Sequence, residues 1–213
     1  MINYPFITDY IRSIIPERTG ELGDFERECR REGYPIVKPE TAKLLEFLCA
    51  LKSPEKILEI GCAVGFSSIL MLKSSPNVKE IITIDRYDFM IERAKKHFEA
   101  FDVKDKVKLL EGQAIEILPQ LEGSFDMIFL DAAKGQYPEF LPHCMRLLAK
   151  DGLFIADNIL YEGIIADEKL SSRRDRTIVK RVRAFLNEIS NRDDLKTSVL
   201  PLGDGVSVSV KIN

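Results

Sequence analysis

The sequence is poor in the side chains that most hydrolases and zinc proteins rely on. It has two histidines, His97 and His143, both on expected helices, and no Gly-x-Ser-x-Gly elbow, which disfavours a serine hydrolase. Its four cysteines, Cys29, Cys49, Cys62 and Cys144, are scattered with no Cys-x-x-Cys pair, and they read as reduced, buried thiols instead of disulfides or zinc ligands. No apolar run approaches the roughly 18 to 20 residues that a membrane span requires, and the start lacks a basic-then-apolar signal, so a cytoplasmic protein without a membrane partner is expected. Internal repeats and low-complexity segments are also missing. A net charge of -3 excludes indiscriminate coating of nucleic acid, although an average can conceal a local basic patch.

What is present is ordinary in bulk: 213 residues, 45% hydrophobic and 31% charged, suit one α/β domain with a sizeable core. The informative stretch is Lys56-Ile-Leu-Glu-Ile-Gly-Cys-Ala-Val-Gly-Phe-Ser-Ser68. Ile57, Leu58 and Ile60 form a buried parallel strand that empties into a glycine turn and then a helix, the arrangement that builds a nucleotide-sized pocket. Glu59 is held among them, where a lone carboxylate is costly unless it meets a cation or hydrogen-bond donors. A dinucleotide fingerprint needs glycine where this chain has Gly61, Ala63 and Phe66, and the phenylalanine blocks close approach of a pyrophosphate. A nicotinamide-dependent oxidoreductase is therefore disfavoured, and the remaining pattern is Glu59-x-Gly61-x-x-x-Gly65-x-Ser67.

Residues 1 to 51 read as a helical section in three pieces, lying over the pocket or forming a subunit contact. Residues 52 to 213 alternate strand and helix, which argues for βαβ units and a parallel sheet. Strands are expected at 81 to 84, 107 to 110, 127 to 130 and 153 to 156, with a basic helix near 174 to 190. A closing hairpin around Gly203-Asp204-Gly205 makes the sheet mixed. Asp85, at the end of the second strand, is placed to accept ribose hydroxyls. Gly112 and Ala114, after the third, can bring backbone up to a base.

Asp131 ends the fourth strand, and Asp157-Asn158 ends the fifth. If those strands are neighbours, their backbones lie about 4.8 Å apart and the three side chains converge. Two carboxylates and an amide oxygen suit a hard cation, magnesium first and manganese or calcium next. Lys134 is close enough to take a proton from a bound hydroxyl or to orient substrate. Residues 169 to 183 hold seven lysines and arginines against Asp175 alone, a concentration that can dock phosphates or simply form a solvated face. A noncatalytic RNA-binding module would share that feature.

Taken together, the glycine motif, Asp85, Phe129-Leu-Asp-Ala-Ala-Lys134 and Ala156-Asp-Asn158 resemble the cation-dependent O-methyltransferases, the family of catechol and caffeoyl-CoA O-methyltransferases. The resemblance runs from about residue 35 to 213 and includes the closing Leu200-Pro-Leu-Gly-Asp-Gly-Val206. It implies a Rossmann-like class I methyltransferase: a seven-stranded, mostly parallel sheet with a C-terminal antiparallel strand and helices on both faces. It implies S-adenosylmethionine bound by Val37, Glu59, Gly61, Gly65, Ser67, Asp85, Gly112, Ala114 and Asp131. By the same resemblance Asp131, Asp157 and Asn158 bind Mg2+ (or Mn2+ or Ca2+), Lys134 with Asp131 carries the catalysis, and the protein is a homodimer. Ala63 and Ala133 stand where the catechol enzymes carry aromatic residues, which argues against a free catechol. A narrower similarity, to the bacterial tRNA 5-hydroxyuridine methyltransferases, rests on Asp131-Ala-Ala-Lys-Gly-Gln-Tyr137, Asp157-Asn-Ile-Leu-Tyr-Glu-Gly163 and Arg173, Arg174 and Arg176. It implies wobble uridine as the acceptor, with a small catechol or caffeoyl-CoA-type substrate as the alternative.

Overall fold

The computed structural model describes residues 2–213. Three helices come first, α1 (Pro5–Ile14), α2 (Gly20–Arg31) and α3 (Pro39–Lys52). The alternating section runs β1 (Lys56–Ile60), α4 (Phe66–Ser74), β2 (Glu80–Asp85), α5 (Asp88–Ala100), β3 (Val107–Glu111), α6 (Ala114–Ile117), β4 (Phe125–Leu130), α7 (Tyr137–Leu147) and β5 (Leu148–Ala156). Helix α8 (Arg176–Asn191) and strands β6 (Leu195–Leu200) and β7 (Val206–Lys211) close the chain.

The sheet has seven strands in the order β3-β2-β1-β4-β5-β7-β6, and only β7 runs against the rest. The order reverses between β1 and β4. In an open α/β sheet a crevice opens at the carboxyl ends of the strands at such a point. Register fixes what meets there. Ile60 pairs with Leu130 and Leu130 with Ala156, so Gly61, Asp131 and Asp157 leave adjacent strands at one level. Each following amide is tied to its neighbour: Asp131 N–H donates to Ile60 O at 2.9 Å and Asp157 N–H to Leu130 O at 3.0 Å. Fixing the two carboxylates on paired backbone limits the entropy their convergence costs.

Strand alternation divides the core between two faces. Ile57 and Met127 pack with Leu45, Phe66 and Ile69 on the side of α3 and α4, while Leu58, Ile60 and Ile128 pack with Phe140, Leu141 and Phe185 on the side of α7 and α8. Burying each such Leu, Ile or Phe is worth roughly 1.5–3 kcal/mol, an upper estimate when the denatured chain is compact. Helix α2 joins the first core through Phe25, whose ring lies 5.8 Å from that of Phe66 and 4.3 Å from that of His97. Helix α1 buries no residue and is tied to α3 by a two-pronged pair, Arg12 Nε and Nη2 each 2.9 Å from Glu40. From this N-terminal section, the residues that reach the crevice are Pro35 to Lys38, the run leading into α3. Strand β5 begins at Leu148, five residues before the start expected at 153, and its pairing with β4 shifts between Phe125 and Met127.

Candidate active site

A cavity of about 600 Å³ opens at the carboxyl edge of β1, β2 and β4. Its first half is shaped by backbone. Gly61 sits at φ 107°, and a Cβ there would fall 2.0 Å from the carbonyl oxygen of Asp131, so the close approach of β1 and β4 requires glycine. Gly65, the N-cap of α4 at φ 85°, faces the Phe98 ring, 2.6 Å from where a Cβ would be. Asp85 draws the turn tight: one oxygen accepts Ala63 N–H at 2.7 Å, and the other accepts Arg86 and Tyr87 N–H at 2.7 and 3.0 Å. A carboxylate offers about four acceptor positions, so three backbone donors leave one for a ligand. Asp85 can therefore take one ribose hydroxyl, and the second expected from the sequence would displace a turn contact.

Val37, Gly61, Ser67, Asp85, Gly112, Ala114 and Asp131 all lie on the cavity wall, as does Phe66. Glu59 and Gly65 stand one layer behind it. Glu59 is fully buried and accepts hydrogen bonds from Ser68 and from Thr83 Oγ1, while its Oε1 has no partner among the described residues. Burial is the main cause that raises its pKa to about 7; the nearby Ser67 hydroxyl, which falls outside hydrogen-bond geometry, and the bonded Ser68 and Thr83 donors oppose the rise, and the charge of Asp131 adds to it.

The second half of the cavity is shaped by charge. Asp131 and Asp157 project from adjacent strand ends, and Asn158 Nδ2 donates to Asp131 Oδ1 at 2.7 Å. Asn158 holds φ 61°, a left-handed conformation that asparagine tolerates, and its N–H donates to its neighbour Asp157 at 2.7 Å. Desolvation raises both carboxyls above their usual range, and at Asp157 the facing Asp131 charge is the next cause. A third acid, Asp204, is 7% exposed and lies on the same wall. Sequence reading left it as a hairpin-turn residue. Lys134 is the ammonium that answers these acids: its Nζ lies 3.3 Å from Asp204 Oδ2 and 4.9 Å from the centre of the Tyr161 ring. It is at the rim, not on the wall.

The expected RNA-contacting residues are outside the cavity but joined to its mouth. Arg173, Arg174 and Arg176 are exposed and form no ion pair among the described residues, whereas Arg181 pairs with Glu139 at 2.8 Å and with the carbonyl of Gly135. Tyr161 donates its hydroxyl to Asp175 at 2.8 Å, so the ring beneath Lys134 is anchored in the arginine segment. His97 binds the carbonyl of Val64 at 2.8 Å, a structural role, and all four cysteines are free and buried, as expected. No helix among the described residues is long and apolar enough to cross a membrane.

A doubly wound sheet of this order, with the cavity at its switch point, defines a Rossmann-like methyltransferase. The sequence profile of the O-methyltransferase family matches residues 26–212, and the chain belongs to that family: it is an S-adenosylmethionine-dependent O-methyltransferase. It is 35% identical over 168 residues to a catechol O-methyltransferase of Niastella koreensis, spanning 76% of each chain. The fold overlays a crystal structure of a candidate caffeoyl-CoA O-methyltransferase from Staphylococcus aureus with TM-score 0.88 and 30% identity, covering 97% of this chain and 99% of that one. It also overlays TomG of Streptomyces achromogenes, an O-methyltransferase of tomaymycin synthesis solved with S-adenosylmethionine, with TM-score 0.82 and 25% identity over 98% and 96% of the two chains.

Proposed function

We propose that this enzyme methylates a hydroxyl that shares a divalent cation with a neighbouring oxygen, and that its acceptor is 5-hydroxyuridine at the wobble position of tRNA. One observation carries this reading: three acids share one wall, buried Asp157 and Asp204 with the partly exposed Asp131, and the one ammonium within ion-pair reach of them among the described residues is Lys134, at the mouth from which the exposed arginines begin. Fully ionised, that cluster keeps two uncompensated negative charges, the deficit that one Mg2+ (or Mn2+ or Ca2+) neutralises. The donors are all oxygens, which suits a hard cation. Among the described residues no group of three Asp, Glu, His or Cys side chains forms a ready cage, so water and acceptor oxygens would complete the shell.

Asp131 and Asp157 would hold the cation from paired strand ends, with Asn158 presenting its amide oxygen in place of the Nδ2 now on Asp131. When bound, the cation lowers the acceptor's pKa, and S-adenosylmethionine supplies an electrophilic methyl on sulfur. Lys134, which would give up its own proton to water beside the bound cation, would then take the hydroxyl proton as a neutral amine while the methyl carbon passes from sulfur to oxygen and the carbon–sulfur pair stays with sulfur. Gly61, Asp85 and Ser67 position the donor, and buried Phe66 and Val37 keep water from that side. The 5-hydroxyl and 4-carbonyl oxygens of 5-hydroxyuridine are vicinal and chelate as a catechol does. Ala63 and Ala133 line the cavity, leaving room for a base presented by a polymer whose phosphates meet Arg173, Arg174 and Arg176.

Nucleoside mass spectrometry of tRNA from cells lacking the gene should show 5-methoxyuridine lost and 5-hydroxyuridine accumulated; unchanged 5-methoxyuridine rejects this acceptor. Full turnover in excess chelator rejects the cation. The second reading, a small catechol or caffeoyl-CoA-type acceptor, is favoured by the 35% identity to a catechol enzyme, and robust turnover of a free catechol with intact tRNA modification would establish it. The same proposal includes a homodimer, for which Tyr4 and the helix it precedes, α1, offer exposed Tyr4, Phe6, Tyr10 and Ile14 to a second copy; a monomer in sedimentation at micromolar concentration removes it.

A further inference from the structure

Asp204 occupies the β6–β7 turn between Gly203 and Gly205, at φ 60° and 86°. A Cβ on Gly203 would lie 2.6 Å from Thr41 Oγ1, and one on Gly205 2.3 Å from Leu160 Cγ, so the turn is wedged between α3 and the loop after β5. Backbone bonds fasten it there: Ile159 N–H donates to Gly205 O and Leu160 N–H to Asp204 O, both at 3.0 Å. Each oxygen of the carboxylate has one partner within this frame. Its Oδ1 accepts the Glu162 N–H and its Oδ2 accepts Lys134 Nζ, 70 residues away in the chain. A nearly buried carboxylate with no freedom to swing is a fixed marker for its partner, unlike a surface ion pair, which is worth little and wanders.

We propose that Asp204 is a positioning residue for Lys134, aiming the amine at the acceptor hydroxyl and stabilising the ammonium that forms when the proton arrives. This rests on the reading that Lys134 is the proton acceptor. The arrangement is the general one of a base oriented by a third group. Lys134 first releases its own proton to water, which the divalent cation of the proposed site favours; the acceptor O–H proton then passes to the neutral Nζ and stops there, and Asp204 remains a carboxylate throughout. Tyr161 completes the cradle from the other side with its ring at 4.9 Å.

The test compares Lys134→Ala, Asp204→Asn and the double variant in single-turnover assays with S-adenosylmethionine, magnesium and an anticodon stem-loop carrying 5-hydroxyuridine. Asp204→Asn should slow methyl transfer ~30-fold, less than the roughly 10²–10⁴-fold ascribed to a general base itself, with affinity for S-adenosylhomocysteine changed less than about twofold. In the Lys134→Ala background the same change should add less than about twofold, because a residue acting through the lysine has nothing left to act on. Equal losses in both backgrounds, or a wild-type rate for Asp204→Asn, overturn the proposal. A full rate for Lys134→Ala sinks the base assignment instead. A second measurement needs no acceptor: acylation of Lys134 by an amine-directed reagent, read by peptide mass spectrometry, should quicken several-fold in Asp204→Asn, and an unchanged rate overturns the positioning role.

Discussion

At the ends of β1, β2 and β3 the cavity wall is largely backbone, with Gly61 and Gly112 at φ 107° and 142° and amides gathered on Asp85. At the ends of β4 and β5 it is side-chain charge, with Asp131, Asp157 and Asp204 set against Lys134. The first half is close-packed at Gly61 and Gly65, where a Cβ would collide with the Asp131 carbonyl and the Phe98 ring. The second is electrostatically unfinished, since its acids face one another in a desolvated space. On the function proposed above, the contrast makes donor binding and acceptor activation separable: the glycine turn would preorganise one, and the other would require added positive charge.

The sharpest way to break that comparison is Asp157→Ala. If Asp157 holds the cation proposed above, its loss should cost several kcal/mol of transition-state stabilisation, about 10³-fold in turnover, because each 1.36 kcal/mol is tenfold. Calorimetric affinity for S-adenosylhomocysteine should change less than about threefold. Comparable loss of both would show that the two halves are one.

A smaller effect is expected at the mouth. Arg173→Ser with Arg174→Ser should weaken tRNA binding on the order of tenfold at moderate salt and lower the slope of log affinity against log salt by about two. Turnover of an isolated 5-hydroxyuridine nucleoside should be unaffected. If tRNA affinity and its salt slope both stay at the wild-type values, the arginine segment is a solvated face and the acceptor half ends at Lys134.

The same division explains what could be read from the amino-acid order. The donor half is written locally: Glu59, Gly61, Gly65 and Ser67 fall within one strand-turn-helix, and Asp85 ends the next strand. The convergence of Asp131, Asp157 and Asn158 was legible because they follow apolar runs at strand ends and the βαβ rhythm makes those strands neighbours. Asp204 was not, because its role depends on β7 entering the sheet antiparallel beside β5, which carries the turn to Lys134. Nor were Ser68 and Thr83 legible as donors to Glu59, since the pairing requires the β1–β2 register that aligns Glu59 with Thr83. Tyr161 escaped for a similar reason: its left-handed backbone, φ 45°, is imposed by the loop that Asp204 pins.

The mildest test concerns the carboxylate behind the donor half. Glu59 has a pKa raised to about 7, chiefly by burial, from an ordinary value of 4.5. Between those two values the unfolded chain releases this proton while the fold retains it, so the native state binds more protons and its stability falls as pH rises. Above the folded value the full penalty is present; below the unfolded value it is gone. Glu59→Gln removes the ionisation and keeps the shape, leaving one oxygen to accept from Ser68 and Thr83. Without cofactor, the melting temperature of Glu59→Gln minus that of the parent should therefore climb between pH 5 and pH 8, by about 2–4 °C for each kcal/mol relieved. At pH 5 the variant should be no more stable than the parent, because its amide nitrogen takes the place of Oε1, which has no acceptor to offer it among the described residues. A difference that is flat across this range would mean that Glu59 stays ionised in the fold and that its unpartnered oxygen meets a cation or water, making the wall behind the glycine turn as dependent on charge as the acceptor half.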